Sequence, residues 1–181
     1  MQKFFLVLTC FILLCSMSEC KKNEAYGNGI AIEFTLQDPD TGISGLYCAG
    51  PEDFTESRIN GNTLSLDSYV RCENESALKQ CSGISLEITG SDPLSEGQTF
   101  TCGGTGNSFG ILIRYTDDNG SVHSAEPESG DLKIIIMHGN YAAGIFNADF
   151  RIPVYGHDGE QTGSGLIKMK NGFFSVYFKS L

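Results

Sequence analysis

Hydrophobic and polar residues alternate along most of the chain after residue 30, and a period of two is typical of strands with one buried face. The alternation is clearest at residues 30–36, 64–67 and 84–89. Denser apolar runs follow at 109–115, 132–137, 145–152, 165–170 and 173–178. Residues 134–137 predict a strand that is central or covered on both faces. Because no helical period is sustained, the pattern predicts an all-β fold.

Short turn signals separate these runs. Asn171-Gly172 lies between two strand-like segments and predicts a two-residue hairpin, since both positions of a type I′ turn need positive φ. Asn119-Gly120 and Asn60-Gly61 predict two further turns. With 22 glycines in the chain and strands at short intervals, we expect an antiparallel β-sandwich, with an up-and-down β-barrel as the alternative.

The N-terminus predicts export. Lys3 precedes an apolar run from Phe4 to Cys15 that is shorter than the roughly 20 residues needed to cross a bilayer. A cation followed by such a run is typical of a cleaved signal sequence. Small residues at Ser16 and Ser18 also allow ordinary cleavage before Glu19, which would give a secreted soluble protein.

The residues around Cys20 resemble the processing site of bacterial lipoproteins, notably those of Bacteroidetes, in which the cysteine becomes the lipidated first residue. Glu19 departs from that pattern, which has a small residue directly before the cysteine. The resemblance predicts residues 1–19 as a signal peptide, 20–28 as a lipidated tether and 29–181 as one β-sandwich domain. The membrane partner would be reached through the lipid on Cys20, since more than one acyl chain gives stable anchoring.

Cysteine counting bears on the same question. Of seven cysteines, the signal removes two and lipidation of Cys20 a third, which leaves an even number for disulfides in an oxidising compartment. If strands 63–71 and 83–89 pair, Cys72 and Cys81 lie opposite each other, and Cys48 pairs with Cys102 by exclusion. Sequence alone permits three connectivities for four cysteines.

A wider resemblance covers most of the chain after the tether. Residues 84–89 followed by Gly97-Gln98-Thr99-Phe100, together with residues 110–113, 141–148 and 169–174, are similar to small β-rich lipoproteins of Bacteroidetes. The resemblance implies a β-sandwich in the cell envelope and carries no known activity. Surface-sorted members often have acidic residues behind the lipidated cysteine. Lys21 and Lys22 depart from that, so either side of the outer membrane stays open.

Candidate catalytic and metal-binding residues are few. Ser108 lies in a G-x-S-x-G sequence, and Asp149 and His157 follow in the order found in α/β-hydrolases. That motif needs a strand-to-helix turn, whereas residues 111–115 continue as a strand. His123, His138 and His157 lack the spacing of zinc ligands. Acidic loops at 38–42 and 126–131 offer oxygen ligands without EF-hand spacing. We therefore expect solvated loops with no metal and no cofactor, and calcium binding by the acidic loops stays open as the alternative.

Charge limits the partners. The net charge of −10 argues against nucleic acid, which is bound by basic surfaces. We expect a non-enzymatic, lipid-anchored envelope protein with a binding or structural role and an unknown protein or glycan ligand. The alternative is a secreted hydrolase that uses Ser108 or a carboxylate pair.

Overall fold

The computed structural model describes residues 31–72, 80–117, 120–155 and 160–178. The predicted signal peptide, the tether and Cys20 lie outside these residues. Twelve strands are present in the described part: β1 Ala31–Gln37, β2 Ser44–Ala49, β3 Phe54–Asn60, β4 Thr63–Tyr69, β5 Arg71–Cys72, β6 Gln80–Thr89, β7 Thr99–Cys102, β8 Ser108–Thr116, β9 Val122–Ala125, β10 Pro127–His138, β11 Tyr141–Tyr155 and β12 Gln161–Tyr177. A short 3-10 turn, Pro51–Asp53, precedes β3.

All twelve strands belong to one sheet, in the order β3-β4-β6-β8-β7-β10-β11-β12-β1-β2-β5, with β9 added beside β8. The sheet is strongly curled into a half-barrel, and 74% of the described residues are strand. The all-β prediction is confirmed, and the architecture follows the barrel-like alternative more closely than a sandwich of two sheets. All pairings are antiparallel except that of β7 with β8.

The two ends of the strand order are joined twice by the chain. The turn at residues 50–53 leads from β2 at one end to β3 at the other, and Val70 alone separates β4 from β5. The N–H of Val70 donates to the carbonyl of Ser82 at 3.2 Å, just before the chain turns to pair with β2. These short connections require the sheet to curl until its ends meet.

The concave face of the sheet holds the core. Strand residues alternate inward and outward, so that one side chain in two is buried along β4, β6 and β8. Phe34 and Tyr47 stack with ring centroids 5.5 Å apart, and Phe146 and Phe174 lie 6.5 Å apart. The largest fully buried side chains are Tyr47, Tyr115, Phe34, Phe100, Phe146, Phe150 and Phe174.

The predicted hairpin at Asn171-Gly172 is wrong. β12 continues through both residues and pairs with β11 on each side of them, with a shift in register between Phe146 and Ala148. Asn171 has a φ of 54° and its N–H donates to Oδ1 of Asn147 at 3.2 Å. Asn171 therefore lies in a β-bulge, which uses at this one residue the positive φ that a turn would need.

The turn predicted at Asn60-Gly61 is confirmed, and of the turn predicted at Asn119-Gly120 only Gly120 lies within the described residues. Asn60 pairs with Thr63 across the β3–β4 hairpin, in which Gly61 has a φ of 61°. β8 and β9 pair antiparallel around a turn in which the N–H of Gly120 donates to the carbonyl of Asp117 at 3.0 Å. The expected pairing of strands 63–71 and 83–89 is also found, as β4 against β6.

Gly144 on β11 is the first site at which the packing can be tested. A Cβ on Gly144 would lie 2.7 Å from Cζ of Phe174 and 2.8 Å from the carbonyl oxygen of Lys133. Because a ring and a backbone oxygen cannot both move away, we expect Gly144→Ala to lower the free energy of unfolding by about 1–3 kcal/mol. Urea denaturation measures this.

The control is Gly163→Ala on β12, where nothing lies within 4 Å of the added Cβ. It should change stability little, or raise it slightly through the unfolded chain. Equal stability of the two variants would show that β11 and β12 are not packed as described.

Candidate binding groove

A groove of about 810 Å³ runs over the outer face of β3, β4, β6 and β8. Its floor follows two rows of paired residues. One row is Arg58, Ser65, Glu87 and Gly110, and the next is Glu56, Asp67, Ser85 and Leu112. Polar residues predominate because these are the outward positions of strands whose inward positions fill the core.

Gly110 gives the groove part of its depth. It lies at the end of the first row, beside Glu87, and no atom lies within 4 Å of the Cβ it lacks. The neighbouring Phe109 points into the core. A side chain at position 110 would therefore fill the groove without disturbing the interior.

Asp67 is the centre of a hydrogen-bonded network on the groove floor. Its Oδ1 accepts from Nη2 of Arg114 at 2.7 Å and from Oγ of Ser85 at 2.7 Å, and its Oδ2 accepts from Oγ1 of Thr55 at 2.8 Å. Arg114 also donates to Ser85 at 3.0 Å. Partial burial opposes ionisation, but the hydrogen bonds from Arg114, Ser85 and Thr55 outweigh it and lower the pKa of Asp67.

The position of Arg114 depends on a glycine. Gly83 pairs with Arg114 on the neighbouring strand, and a Cβ there would lie 2.7 Å from Nε and Nη2 of the guanidinium. The guanidinium therefore lies flat over Gly83 and reaches across to Asp67. This packing holds Arg114 in the network with Asp67.

The other carboxylates of the groove are Glu56, Glu87 and Glu126. Oε1 of Glu56 lies 2.6 Å from Nε of Arg58. Two carboxylates that face each other across β3 and β4, Glu56 and Asp67, thus each have their own arginine. A carboxylate pair that cleaves bonds needs one member protonated near neutral pH, whereas the hydrogen bonds to Asp67 favour its ionised form.

Ser108 lies at one end of the groove, within the regular strand β8. It pairs with Thr89 and, across the parallel contact, with Thr101. Asp149 lies on β11, which β7 and β10 separate from β8, and faces Lys168 in register. His157 lies outside the described residues. The structure therefore does not bring Asp149 to Ser108.

The remaining polar candidates are engaged in local structure. Nε2 of His123 lies 2.8 Å from Oδ2 of Asp117. Oδ1 of Asp38 accepts from the N–H of Asp40 at 2.8 Å within the β1–β2 turn, and Glu128 contacts Nε of Arg151 at 2.7 Å. Hydrogen bonding to Thr41 and to the N–H of Asp40 lowers the pKa of Asp38. Within the described ranges, no cluster of three or more histidine, cysteine, aspartate or glutamate residues could hold a metal ion.

Neither predicted disulfide is formed. Cys72, Cys81 and Cys102 are not disulfide-bonded. Cys48 and Cys102 could not pair, because β2 and β7 are separated by β10, β11, β12 and β1. Cys102 instead contacts the carbonyl of Pro127 at 3.5 Å.

Cys72 does not lie opposite Cys81, because β4 pairs with β6 only as far as Tyr69 and the chain turns away from β6 at Val70. Cys72 then pairs with Tyr47 on β2 rather than with a residue of β6. Burial raises the pKa of Cys81 to about 12, and its Sγ contacts the carbonyl of Gly83 at 3.7 Å. Burial also raises the pKa of Tyr47, and nearby Cys72 and Cys81 add to the effect. The two cysteines thus both lie near Tyr47.

The comparisons with known proteins add no relative: no family model, curated protein or solved structure matches this chain. In the part of the chain that the structure describes, there is no helix of the length and apolarity that crossing a membrane requires.

Sequence reasoning missed the groove. Asp67, Arg114 and Gly110 carry no motif, and each reads as an ordinary outward residue of a strand. The signal that could have found Asp67 and Ser85 is the expected pairing of strands 63–71 and 83–89, because it places their polar positions side by side on one face.

The Asp67 network predicts a dependence of stability on pH. Because the folded pKa of Asp67 is lowered, its contribution is present above the unfolded pKa of about 3.9 and is lost as pH falls through the folded value. We expect Asp67→Asn to lower the free energy of unfolding by about 1 kcal/mol at pH 7, since both partners are partly exposed. Urea denaturation from pH 7 to 2 should show the difference shrinking.

Glu128→Gln is the matched control, because its ion pair with Arg151 is about half exposed and lies on other strands. It should change stability by less than about 0.5 kcal/mol. A loss for Asp67→Asn that is independent of pH would contradict the network.

Proposed function

We propose that the protein is exported, anchored to a cell-envelope membrane through a lipid on Cys20, and binds a polar ligand in the outer groove without catalysis. The observation that carries the binding role is the preformed network of Asp67, Arg114 and Ser85 beside the open space at Gly110. Polar groups that are fixed in advance lose little freedom when a ligand docks.

The chemistry of the groove favours a ligand rich in hydrogen-bond donors. Ionised carboxylates accept hydrogen bonds, whereas the hydroxyls of Ser65, Ser85 and Ser108 both donate and accept. Carboxylates outnumber arginines along the groove, so an anionic ligand would be repelled. A neutral or amino-bearing glycan, or a basic protein segment, has the complementary chemistry.

Export and anchoring are supported by the sequence before the described domain. The short apolar run from Phe4 to Cys15 and the position of Cys20 behind it favour a lipoprotein signal. Counting cysteines no longer supports the anchor, because Cys72, Cys81 and Cys102 keep their thiols in the structure.

The anchor is tested by Cys20→Ala. If Cys20 carries the lipid, the variant should move from the membrane fraction to the soluble fraction, because it has lost its acyl chains. Fractionation with immunoblotting measures this, and mass spectrometry of the wild-type N-terminal peptide should find the acyl mass. Cys102→Ala is the control and should stay with membranes. A mature wild-type chain that begins at Glu19, or that lacks acyl mass, would refute the anchor.

The binding role is tested by filling the groove. Gly110→Trp places a large side chain in the open space, whereas Gly163→Trp does the same on β12 away from the groove. Screening the wild-type protein on glycan arrays and envelope-protein arrays should give ligands that Gly110→Trp loses and Gly163→Trp keeps. Stoichiometric labelling of Ser108 by a fluorophosphonate probe, absent in Ser108→Ala, would favour the hydrolase instead.

A further inference from the structure

An apolar patch lies on the outer face of β10, β11 and β12, strands that do not form the groove floor. Ile136, Ile145 and Tyr177 are 40%, 47% and 42% exposed, and Tyr141 and Phe173 are partly buried beside them. The strand register places these residues side by side, since Ile145 pairs with Phe173 and Tyr141 pairs with Tyr177. The rings of Tyr141 and Tyr177 lie 4.8 Å apart. Contiguous exposed apolar surface of this kind marks an interaction site.

The sequence predicted that residues 134–137 would be central or covered on both faces. β10 is indeed central in the strand order, but only its inner face is covered in the described residues, because Ile136 points outward opposite Ala143. The outer face of β10 therefore carries apolar residues that the fold itself does not bury.

The described chain begins beside this patch. Ala31, the first residue of β1, pairs with Ser175, and Ser175 pairs with Ala143 next to Ile136. Cys20 precedes Ala31 by eleven peptide links, which reach about 40 Å at most. An anchor at Cys20 would thus keep Ala31, at this end of the domain, within about 40 Å of the bilayer. Ile43, in the turn beyond the far end of β1, lies at least about 20 Å farther along the strand.

We propose that the patch rests in the headgroup region of the membrane to which the chain is anchored, and so orients the domain. This inference rests on the proposed lipid anchor. Tyrosine prefers the membrane–water interface, and Ile136 and Ile145 supply the apolar contact. Lys133, opposite Ile145, and Lys170, on β12, can meet anionic headgroups, whereas Glu33, opposite Phe173, is the one acidic residue in that row.

The chain contains no tryptophan, so one substitution gives a single reporter. Tyr177→Trp places it in the patch, and Ile43→Trp, at 46% exposure, is the matched control. Each full-length protein, purified with its N-terminal modification, is reconstituted in phosphatidylethanolamine and phosphatidylglycerol vesicles with or without brominated acyl chains. We expect brominated lipid to quench the reporter at 177 several-fold more than that at 43, with blue-shifted emission only at 177.

Flotation of the same vesicles distinguishes failure of the lipid anchor from failure of the proposed orientation. Protein that floats with equal quenching at both positions, or with none at 177, overturns the orientation and leaves the anchor intact. Protein that does not float overturns the anchor and the orientation with it. Emission at 177 that is already blue-shifted without lipid shows that a second copy or the chain's own N-terminal residues cover the patch, which also overturns the proposal. Ile145→Trp repeats the measurement if Tyr177→Trp does not fold.

Discussion

The structure depends on the two short connections, at residues 50–53 and at Val70, that join the ends of its single sheet. One face of a sheet must be buried against another layer, and no helix or second sheet supplies that layer in the described residues. Here the turn at 50–53 and the single residue Val70 bring β3 and β4 back towards β2 and β5. Nη2 of Arg71, which follows Val70, lies 2.5 Å from Oδ1 of Asp53 in the turn, so that an ion pair links the two connections. The sheet therefore buries its own inner face.

The same curling determines what the outer face can do. Side chains on a convex surface diverge, so that short residues leave space between longer ones. Ser65, Ser85 and Gly110 are short, and the groove lies over them. Arg114 reaches Asp67 in the neighbouring row only because Gly83 lets the guanidinium lie flat. The groove is thus a product of strand register, and a change in pairing by one residue would turn its polar floor into the core.

The sequence predicted the strands well and the connections between them less well. Residues 84–89 alternate over the length of a strand, and β6 has that period because every second residue contacts the core. Asn171-Gly172 was misplaced because the dipeptide permits positive φ in a bulge as readily as in a turn. Only pairing with β11 over distant residues decides between them. Cys72 was misplaced for a related reason, since the alternation of β4 gives no sign that Val70 redirects the chain to β2.

The candidate site was predictable in part for the same physical reason. Ser108 could be singled out by its motif, and the strand that follows it argued correctly against a strand-to-helix elbow. Asp67, Ser85, Gly110 and Arg114 lie on three strands, and their contacts exist only once β4, β6 and β8 are in register. No local pattern encodes such a site.

Electrostatics connects the groove to the proposed orientation. The groove carries Glu56, Asp67, Glu87 and Glu126, and a membrane surface with anionic lipids would repel it. The patch on β10, β11 and β12 has uncharged side chains with Lys133, Lys170 and Glu33 nearby, and it lies on strands other than those of the groove floor. A domain that is free to turn on a tether would therefore settle with the patch towards the bilayer and the groove towards water. The acidity of the chain, which in the sequence only argues against nucleic acid, would then help to keep the groove open to ligand.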